Sequence, residues 1–540
     1  MEQLLTYNNQ ILKINNSAAT IVPLETESIT INNDGVYTAP TGIAYNSIIV
    51  DTSGGDTTFT AEKKAVNFRD YDGTIRYSYT AAEFANLTTL PENPCHTGLT
   101  AQGWNWTLSD AKEYVNIYGG IDIGQHYTTT SGDTELDIFL EKDQGTLYLA
   151  LGVIGSVTIN WGDGTTNIIT GSSSTTQIKT LHTWPATEKS YTIIIHINNG
   201  SCSFYSPSNS YPIIAKNVDT VRSHYNWDCQ NVLRRVRIGN NFFIKDYAFY
   251  MCRTVETITI PSTITSFGQY SFSNCDLLNF ITFPSSLTSI PDHCLNDCLN
   301  LKDCTFPKNI VFNGSYNLAY ISFNKIILTN TNLTTIPERC CNGCYVPREI
   351  ILPDSVTAID TYAFSYCYSM NSITLPSNLT TLGTYAFDHC YNLTTIIIPN
   401  KVTSIPERCF NYCYKLQISF ANSSALTSIG TYAFYYCSDM TSITLPNTVT
   451  SIGTYSFRYS GLTSITIPAN VTSIDTYAFA NCTSLQEIHF LGTTTTPTFG
   501  SNCFYSLPTT CKIYVPTGYL STYQGKSNAP SSSTYTWIEE

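Results

Sequence analysis

Two kinds of residue cluster in this sequence have the types and spacing to do chemistry. Asp70-Tyr71-Asp72-Gly73-Thr74 sets two carboxylates two residues apart. In such a pair the first Asp can attack phosphorus while the second serves as acid and base. Three cysteine groups, Cys294-x-x-x-Cys298, Cys340/Cys341 with Cys344, and Cys409-x-x-x-Cys413, have zinc-ligand spacing. No Gly-rich phosphate loop, His-Glu-x-x-His or Gly-x-Ser-x-Gly string is present. The eight His are scattered, and a lone one such as His389 reads as a satisfied surface residue.

Each cluster makes demands on the elements around it. The Asp-x-Asp-Gly-Thr string resembles the nucleophile motif of haloacid-dehalogenase phosphotransferases, which implies Asp70 as nucleophile and Asp72 as acid/base. That chemistry needs a buried parallel strand before the motif and a doubly wound sheet, with a later Lys and further carboxylates. Lys63-Lys64-Ala65-Val66-Asn67-Phe68-Arg69 is too polar for a central parallel strand, and no series of β/α units follows. The expectation at Asp70 is a β-turn with Asp-Gly as turn residues. A phosphotransferase using Asp70 and Asp72 stands as the remote alternative.

The cysteines belong to a period. Tyr-(Ala/Ser)-Phe, two residues and Cys recur, ending at Cys252, Cys275, Cys367, Cys390, Cys437 and Cys482, with variants at Cys298, Cys344 and Cys413. Cys229 opens the series, and Ser460 replaces Cys once. The steps are 23, 23, 23, 46, 23, 23, 23, 24, 23 and 22 residues, the long one spanning a degenerate unit near Ile321. Each unit carries an Ile-x-Leu strand ended by Pro, which cannot donate to a ladder. A second β-prone piece such as Val402-Thr403-Ser404-Ile405 leads into the Tyr-Ala-Phe turn. One unit cannot bury its own apolar face, so stacking must do it. Some twelve units at about 4.8 Å give an array on the order of 60 Å long.

In this frame the paired cysteines are packing residues. The first of each pair falls where other units carry Ala248, Ala363, Ala386 or Ala433, a site for a small hydrophobe. No metal and no cofactor are expected. Stacked thiols are within disulfide range but point the same way, so most of the 19 Cys are expected to be free and buried. Cys503 and Cys511 are left open as a pair. The expected core ladder is Phe249, Cys252, Phe272, Cys275, Phe364, Cys367, Phe387, Cys390, Phe410, Cys413, Phe434, Cys437, Phe479 and Cys482.

This repeat resembles the BspA-type (Treponema-type) leucine-rich repeat in its 23-residue period and Ala-Phe-x-x-Cys signature. The resemblance covers about residues 225–520, and Lys512-Ile513-Tyr514-Val515-Pro516 with Tyr519 and Tyr523 looks like its terminal cap. It implies a surface adhesion or interaction module and no enzyme.

The segments in front are shorter. Asn33-Asp34-Gly35-Val36-Tyr37-Thr38-Ala39-Pro40 and the following Gly42 to Val50 read as strand, turn, strand, and this stretch resembles tail and fibre proteins of gut bacteriophages. Thr80 followed by Glu83 is a capping box before a helix, and Leu108 to Val115 is a second helix. Trp161-Gly162-Asp163-Gly164 with His182-Thr183-Trp184 partly resembles a PKD-type immunoglobulin-like sandwich, whose implied role is a spacer. The bland alternative is a hairpin with a Gly-Asp-Gly turn. The expected fold class is mainly β: a capped leucine-rich solenoid behind small β-rich and α+β domains, one resembling an immunoglobulin-like domain. The expected divisions are residues 1–60 (β-rich attachment region), 61–130 (small α+β domain), 131–205 (PKD-like spacer), 206–520 (capped solenoid) and 521–540 (tail).

Composition narrows the partners. With 27 Lys+Arg against 40 Asp+Glu, the net charge of -13 disfavours nucleic acid. No apolar run reaches the roughly 18 residues of a spanning helix, and no basic segment before an apolar stretch marks a Sec signal peptide at the start. The outward residues of the repeat strands form a Ser/Thr stripe: Thr257, Thr259, Phe280, Thr282, Ser372, Thr374, Thr395, Ser442, Thr444, Ser464, Thr466 and His489. Thr is well suited to strands in any case, and the sharper reading is a platform for a sugar or protein. Exposed loop tyrosines (Tyr366, Tyr412, Tyr414, Tyr435, Tyr436, Tyr459) suit such contacts. The expected function is therefore non-enzymatic: a bacteriophage virion surface or fibre protein contacting a bacterial surface protein or glycan through its repeats. Other virion proteins would be met through the N-terminal region, and a homo-oligomer is compatible. The alternative is a BspA-type adhesin at the bacterial cell surface.

Overall fold

The computed structural model describes residues 66–141, 145–185, 189–207, 213–216, 232–323, 326–328 and 331–540, and the backbone of six strands before residue 66. Glu2–Tyr7 and Gln10–Asn15 pair antiparallel, and Thr20–Pro23, Ile29–Thr30, Tyr45–Asp51 and Thr58–Lys63 share one sheet. The expected strand and turn over 33–44 lie outside the described residues, as does Cys229. The chain forms two compact units, Met1–Tyr127 and Thr128–Glu540.

In the first unit a four-stranded sheet runs in the order Ile75–Tyr79, Val66–Arg69, Ile121–Thr129, Leu99–Trp104. Val66–Arg69 is thus a central strand, parallel to Ile121–Thr129. This corrects the expectation that the segment is too polar for such a place. Only one face needs to be apolar here: Val66 and Phe68 are fully buried with Phe84, Trp104 and Ala111. On the other face Asn67 bonds to Asp122 (2.9 Å) and Ser78 (2.7 Å), so its polar groups are satisfied. Ala81–Ala85 starts with the reciprocal Thr80–Glu83 capping box. Leu108–Tyr118 starts at Thr107, whose hydroxyl accepts from the Asp110 amide, and ends on left-handed Gly119.

In the second unit Thr134–Leu140, Thr146–Asn160, Thr166–Thr183 and Lys189–Phe204 form an antiparallel sheet, bent by bulges at Leu151/Val153 and Ser156/Val157. That sheet does not end before the repeats. Leu233–Arg237 pairs antiparallel with Thr134–Leu140 on one side and parallel with Thr257–Thr259 on the other. From there most turns add a short parallel strand, in several separate runs, and within a run equivalent residues pair in register, as in Glu349↔Ser372 and Ser372↔Thr395. A second row of two-residue strands, such as Ser404–Ile405 and Ser428–Ile429, stacks likewise. One continuous apolar core joins Leu136 to Tyr523. Lys512–Val515 and the final strand Thr536–Glu539 close the array, and Tyr523 plugs its end with its hydroxyl donating to the Gly492 carbonyl (2.9 Å).

Candidate functional site

The core ladder gives every repeat side chain its direction. All fourteen ladder residues, Phe249 through Cys482, are at most 1% exposed. The phenyl rings stack turn on turn, Phe387 on Phe410 at 5.3 Å and Phe410 on Phe434 at 5.7 Å. From Cys275 onward the ladder thiols donate to a carbonyl of the preceding turn, as Cys298 does to Phe272 (3.1 Å) and Cys413 to Phe387 (3.1 Å). Cys294, Cys340 and Cys409 are fully buried in the row that elsewhere holds Ala363 and Ala386. The described cysteines are all free thiols, Cys503 and Cys511 included, and only Cys95 among them is exposed. No group of three or more candidate ligands is placed to hold a metal ion among the described residues.

The outward face of the strands is less uniform than its sequence. Ser372, Thr374, Thr395, Ser442, Thr444, Ser464 and Thr466 are exposed. Thr259, Phe280 and Thr282 are not: they are 3%, 3% and 4% exposed, and Thr257 is half-buried. The hydroxyls of Thr259 and Thr282 have no hydrogen-bond partner among the described residues. This end of the strand face is sheltered, so alternation alone misplaces its exposure. An aromatic ring in the row, Phe280, buried outside the main core, marks the sheltered stretch. His489 is also engaged, stacked on Tyr514 at 4.3 Å and bonded through Nδ1 to Glu540 at 2.8 Å. The open face therefore runs from Glu349 to Thr466, and its centre exposes an aliphatic side chain, Ile397, at 61%.

The turn face carries an arrangement that the sequence did not reveal, and the loop tyrosines expected to be exposed (Tyr366, Tyr412, Tyr414, Tyr435, Tyr436, Tyr459) are half-buried. Tyr247, Tyr270, His293 and Tyr316 stack with centroids 4.3–4.8 Å apart. Arg339 then lies over Tyr316 and Tyr362, and Arg408 over Tyr385 and Tyr432. Tyr432, Tyr455 and Tyr477 continue the row. A second row runs Tyr366, His389, Tyr412, Tyr436, Tyr459, and a third Tyr345, Tyr368, Tyr391, Tyr414. The first and second rows consist of residues with positive φ, such as Tyr385 (58°) and Tyr412 (56°). That conformation is costly for a residue with a Cβ, and stacking at about 0.5–1.5 kcal/mol per pair offsets it. Inside a row the ring faces are covered by neighbouring rings, so these tyrosines offer edges and hydroxyls, not stacking platforms. The 23-residue spacing of Tyr before Ala/Ser-Phe was the signal for the first row.

In the first unit, Asp70 is fully buried at the end of Val66–Arg69. It accepts from Tyr127 Oη (2.8 Å), the Tyr71 amide (2.9 Å) and Arg76 Nε (2.7 Å), and pairs with His96 Nε2 (2.8 Å). Burial raises its pKa, but the bonds from Tyr127, Tyr71, Arg76 and His96 outweigh that and hold it below the ordinary value. Asp72 accepts from the Thr74 amide (2.9 Å) and so closes the turn. A carboxylate saturated in this way is a structural pin with no lone pair aimed at a phosphorus atom. Asp163, in the Gly162-Asp163-Gly164 turn, bonds to His182 Nε2 (2.7 Å), whose ring stacks on Trp161 at 4.6 Å. Against the opposing effect of burial, bonds from Thr165 and His182 hold Asp163 down at about 2.

A ladder of 23-residue turns with one phenyl and one thiol row defines a leucine-rich repeat solenoid. The model of the BspA type leucine rich repeat region matches residues 242–368, 334–460 and 417–525, together more than half of the chain, and the chain belongs to that family. Among solved structures it is similar to a leucine-rich repeat protein from Bacteroides ovatus, with 24% identity over 59% of this chain and 97% of that one, TM-score 0.37. It is also similar to a leucine rich cell surface protein from Faecalibacterium prausnitzii (23% identity, 56% and 84% covered, TM-score 0.34). The T. pallidum leucine rich repeat protein is 30% identical over 30% of this chain and 78% of its own, TM-score 0.27. A search of the curated proteins finds no match. Among the described residues no helix is long and apolar enough to cross a membrane.

Proposed function

We propose that this chain is a non-enzymatic adhesin of the BspA type, which holds a protein or glycan of a cell surface on the open strand face of its solenoid. The observation that carries the reading is the run of exposed, uncharged hydroxyls from Ser372 to Thr466, most of them on strands fixed by parallel pairing. Such a face meets a partner with little ordering cost, because its strands are already in place. The virion placement rests on residues 1–60, largely outside the described residues and outside the family match, so the adhesin reading takes precedence. The strands over 134–204 serve as the base from which the repeats are presented.

The test is binding of the full chain to bacterial envelope extract and intact cells. Thr395→Arg, in the middle of the open face, is expected to abolish capture, whereas Thr450→Arg, exposed just before the second-row strand Ser451–Ile452, is expected to leave it unchanged. Equal capture by wild type and Thr395→Arg sinks the assignment of the face.

A further inference from the structure

The strand ladder runs in several stretches, and the break that follows Gln417–Phe420 forms a pocket. Ladder bonds pass regularly from Asn371 to Arg348, Thr394 to Asn371 and Gln417 to Thr394, and they resume with Thr463 to Thr441. Between these, the five-strand run ends at Gln417–Phe420 and the next begins at Ser464–Ile467, while Ser442 to Leu445 enters neither. The cause is legible in one repeat. Core residues before the strand are three apart in Met370/Ile373 and Leu393/Ile396, but two apart in Leu416/Ile418. After the strand, Ala421 stands where other turns have Pro376, Pro399 or Pro446, and two extra residues precede Leu426. The net gain is the single 24-residue step of the array. The strand is pulled out of phase with its successor, and the spare loop turns through Ser423 at φ 57°. The Gln417 amide bridges to the Asp439 carbonyl (2.6 Å) at the seam.

The resulting pocket has a volume of about 470 Å³, within the range of small-molecule sites. Its floor and walls include Phe420, Ile443 and Pro446, and its polar groups include Ser442, Thr444 and Asn447. No Asp, Glu, Lys, Arg or His lines it. Ser442 and Thr444 are exposed while Ile443 between them is buried, so hydroxyls stand at the mouth over an apolar base.

We propose that this pocket binds one uncharged sugar ring of a surface glycan. A pyranose has an apolar face for Phe420 and Pro446 and a rim of hydroxyls for Ser442, Thr444, Asn447 and the backbone groups of Ser442 to Leu445 left out of the ladder. A charged ligand finds no counter-charge in the lining, and burying an unpaired charge is costly. The proposal deepens the adhesin reading and rests on it for the source of the sugar.

The test is saturation-transfer NMR on the full chain with methyl glycosides of glucose, galactose, mannose and N-acetylglucosamine, and with sialic acid as the charged comparator. At least one neutral glycoside is expected to bind at millimolar concentration. Ser442→Trp, which fills the mouth, and Thr444→Arg are each expected to weaken it about tenfold or more, the factor set by about 1.4 kcal/mol. Thr472→Trp, exposed and outside the open strand face, is expected to leave it unchanged. Circular dichroism checks that each variant keeps the fold. No neutral binding, binding that ignores both pocket variants, or preference for sialic acid overturns the proposal. If the glycosides fail while wild type and Ser442→Trp still adhere to envelope extract, the pocket is excluded and the adhesin reading stands. If glycosides bind but no cell or extract does, the pocket stands and the adhesin reading falls.

Discussion

The thiol of Cys390 donates to the carbonyl oxygen of Phe364, 3.2 Å away in the preceding turn. This contact explains why the row holds cysteine when a small apolar residue would fit its volume: the sulfur fills space and also satisfies a buried backbone acceptor. Ser460, the one serine in the row, makes its polar contact instead with the thiol of the following turn, 3.3 Å from Cys482 Sγ.

Cys390→Ala removes the donor and leaves a small void, so it is expected to cost roughly 1–3 kcal/mol. Cys390→Ser keeps a donor and is expected to cost less. Urea unfolding followed by circular dichroism ranks the two. A serine variant less stable than the alanine variant would contradict the donor role.

The thiols also set an alkaline limit. Burial pushes Cys252, Cys294 and Cys482 up to about 12 from 9.0. The unfolded chain gives up these protons first, so their contribution is complete below pH 9 and is lost as pH rises toward 12. The urea midpoint is expected to fall steadily above pH 9, and Cys252→Ser is expected to soften the slope. A midpoint flat to about pH 11 would count against buried neutral thiols.

At Tyr385 two effects oppose each other: the stack on Tyr362 at 4.5 Å, and a φ of 58°. Tyr385→Ala loses the stack and keeps the strain. Tyr385→Gly loses the stack and relieves the strain, which is worth about 1 kcal/mol. The glycine variant is therefore expected to be the more stable of the two in thermal unfolding. The reverse order means that the ring, and not the turn, dictates the conformation.

Asp70→Asn removes the charge on which Arg76, His96 and Tyr127 converge. The expected loss is about 3 kcal/mol for residues 66–127, because partners of a buried charge are left unpaired. With its pKa below the ordinary 3.8, wild-type Asp70 contributes stability above pH 3.8 that disappears as pH falls through the lowered value. Hydrogen exchange of this unit at about pH 5 and at about pH 3 reads the difference. Phosphate-ester turnover that vanishes in the variant would revive the phosphotransferase reading.

The ladder was legible because a 23-residue period repeats the same demand many times, and Phe249, Cys275 and Phe387 each sit where that period puts them. The helix at Ala81–Ala85 was legible for a local reason, since Thr80 and Glu83 carry the capping chemistry themselves. Thr259 and Thr282 were misjudged because alternation reports the side of a sheet and not what covers it. Val66–Arg69 was misjudged because polarity excludes a central strand only when both faces are dry. The pocket was recorded in the 24-residue step, but a count of period says nothing of where within the turn the extra residue falls. The aromatic rows needed the third dimension: residues far apart in sequence become neighbours only once the turns are stacked.

The continuity of the sheet across Leu233–Arg237 has a mechanical consequence. Tension that arrives at Thr257–Thr259 passes to Thr134–Leu140 through the peptide hydrogen bonds of Leu233–Arg237, which pairs with both. Because those bonds lie along the direction of stacking, a steady pull opens them in sequence, like a zip, and the protein gives way one turn at a time instead of failing at once.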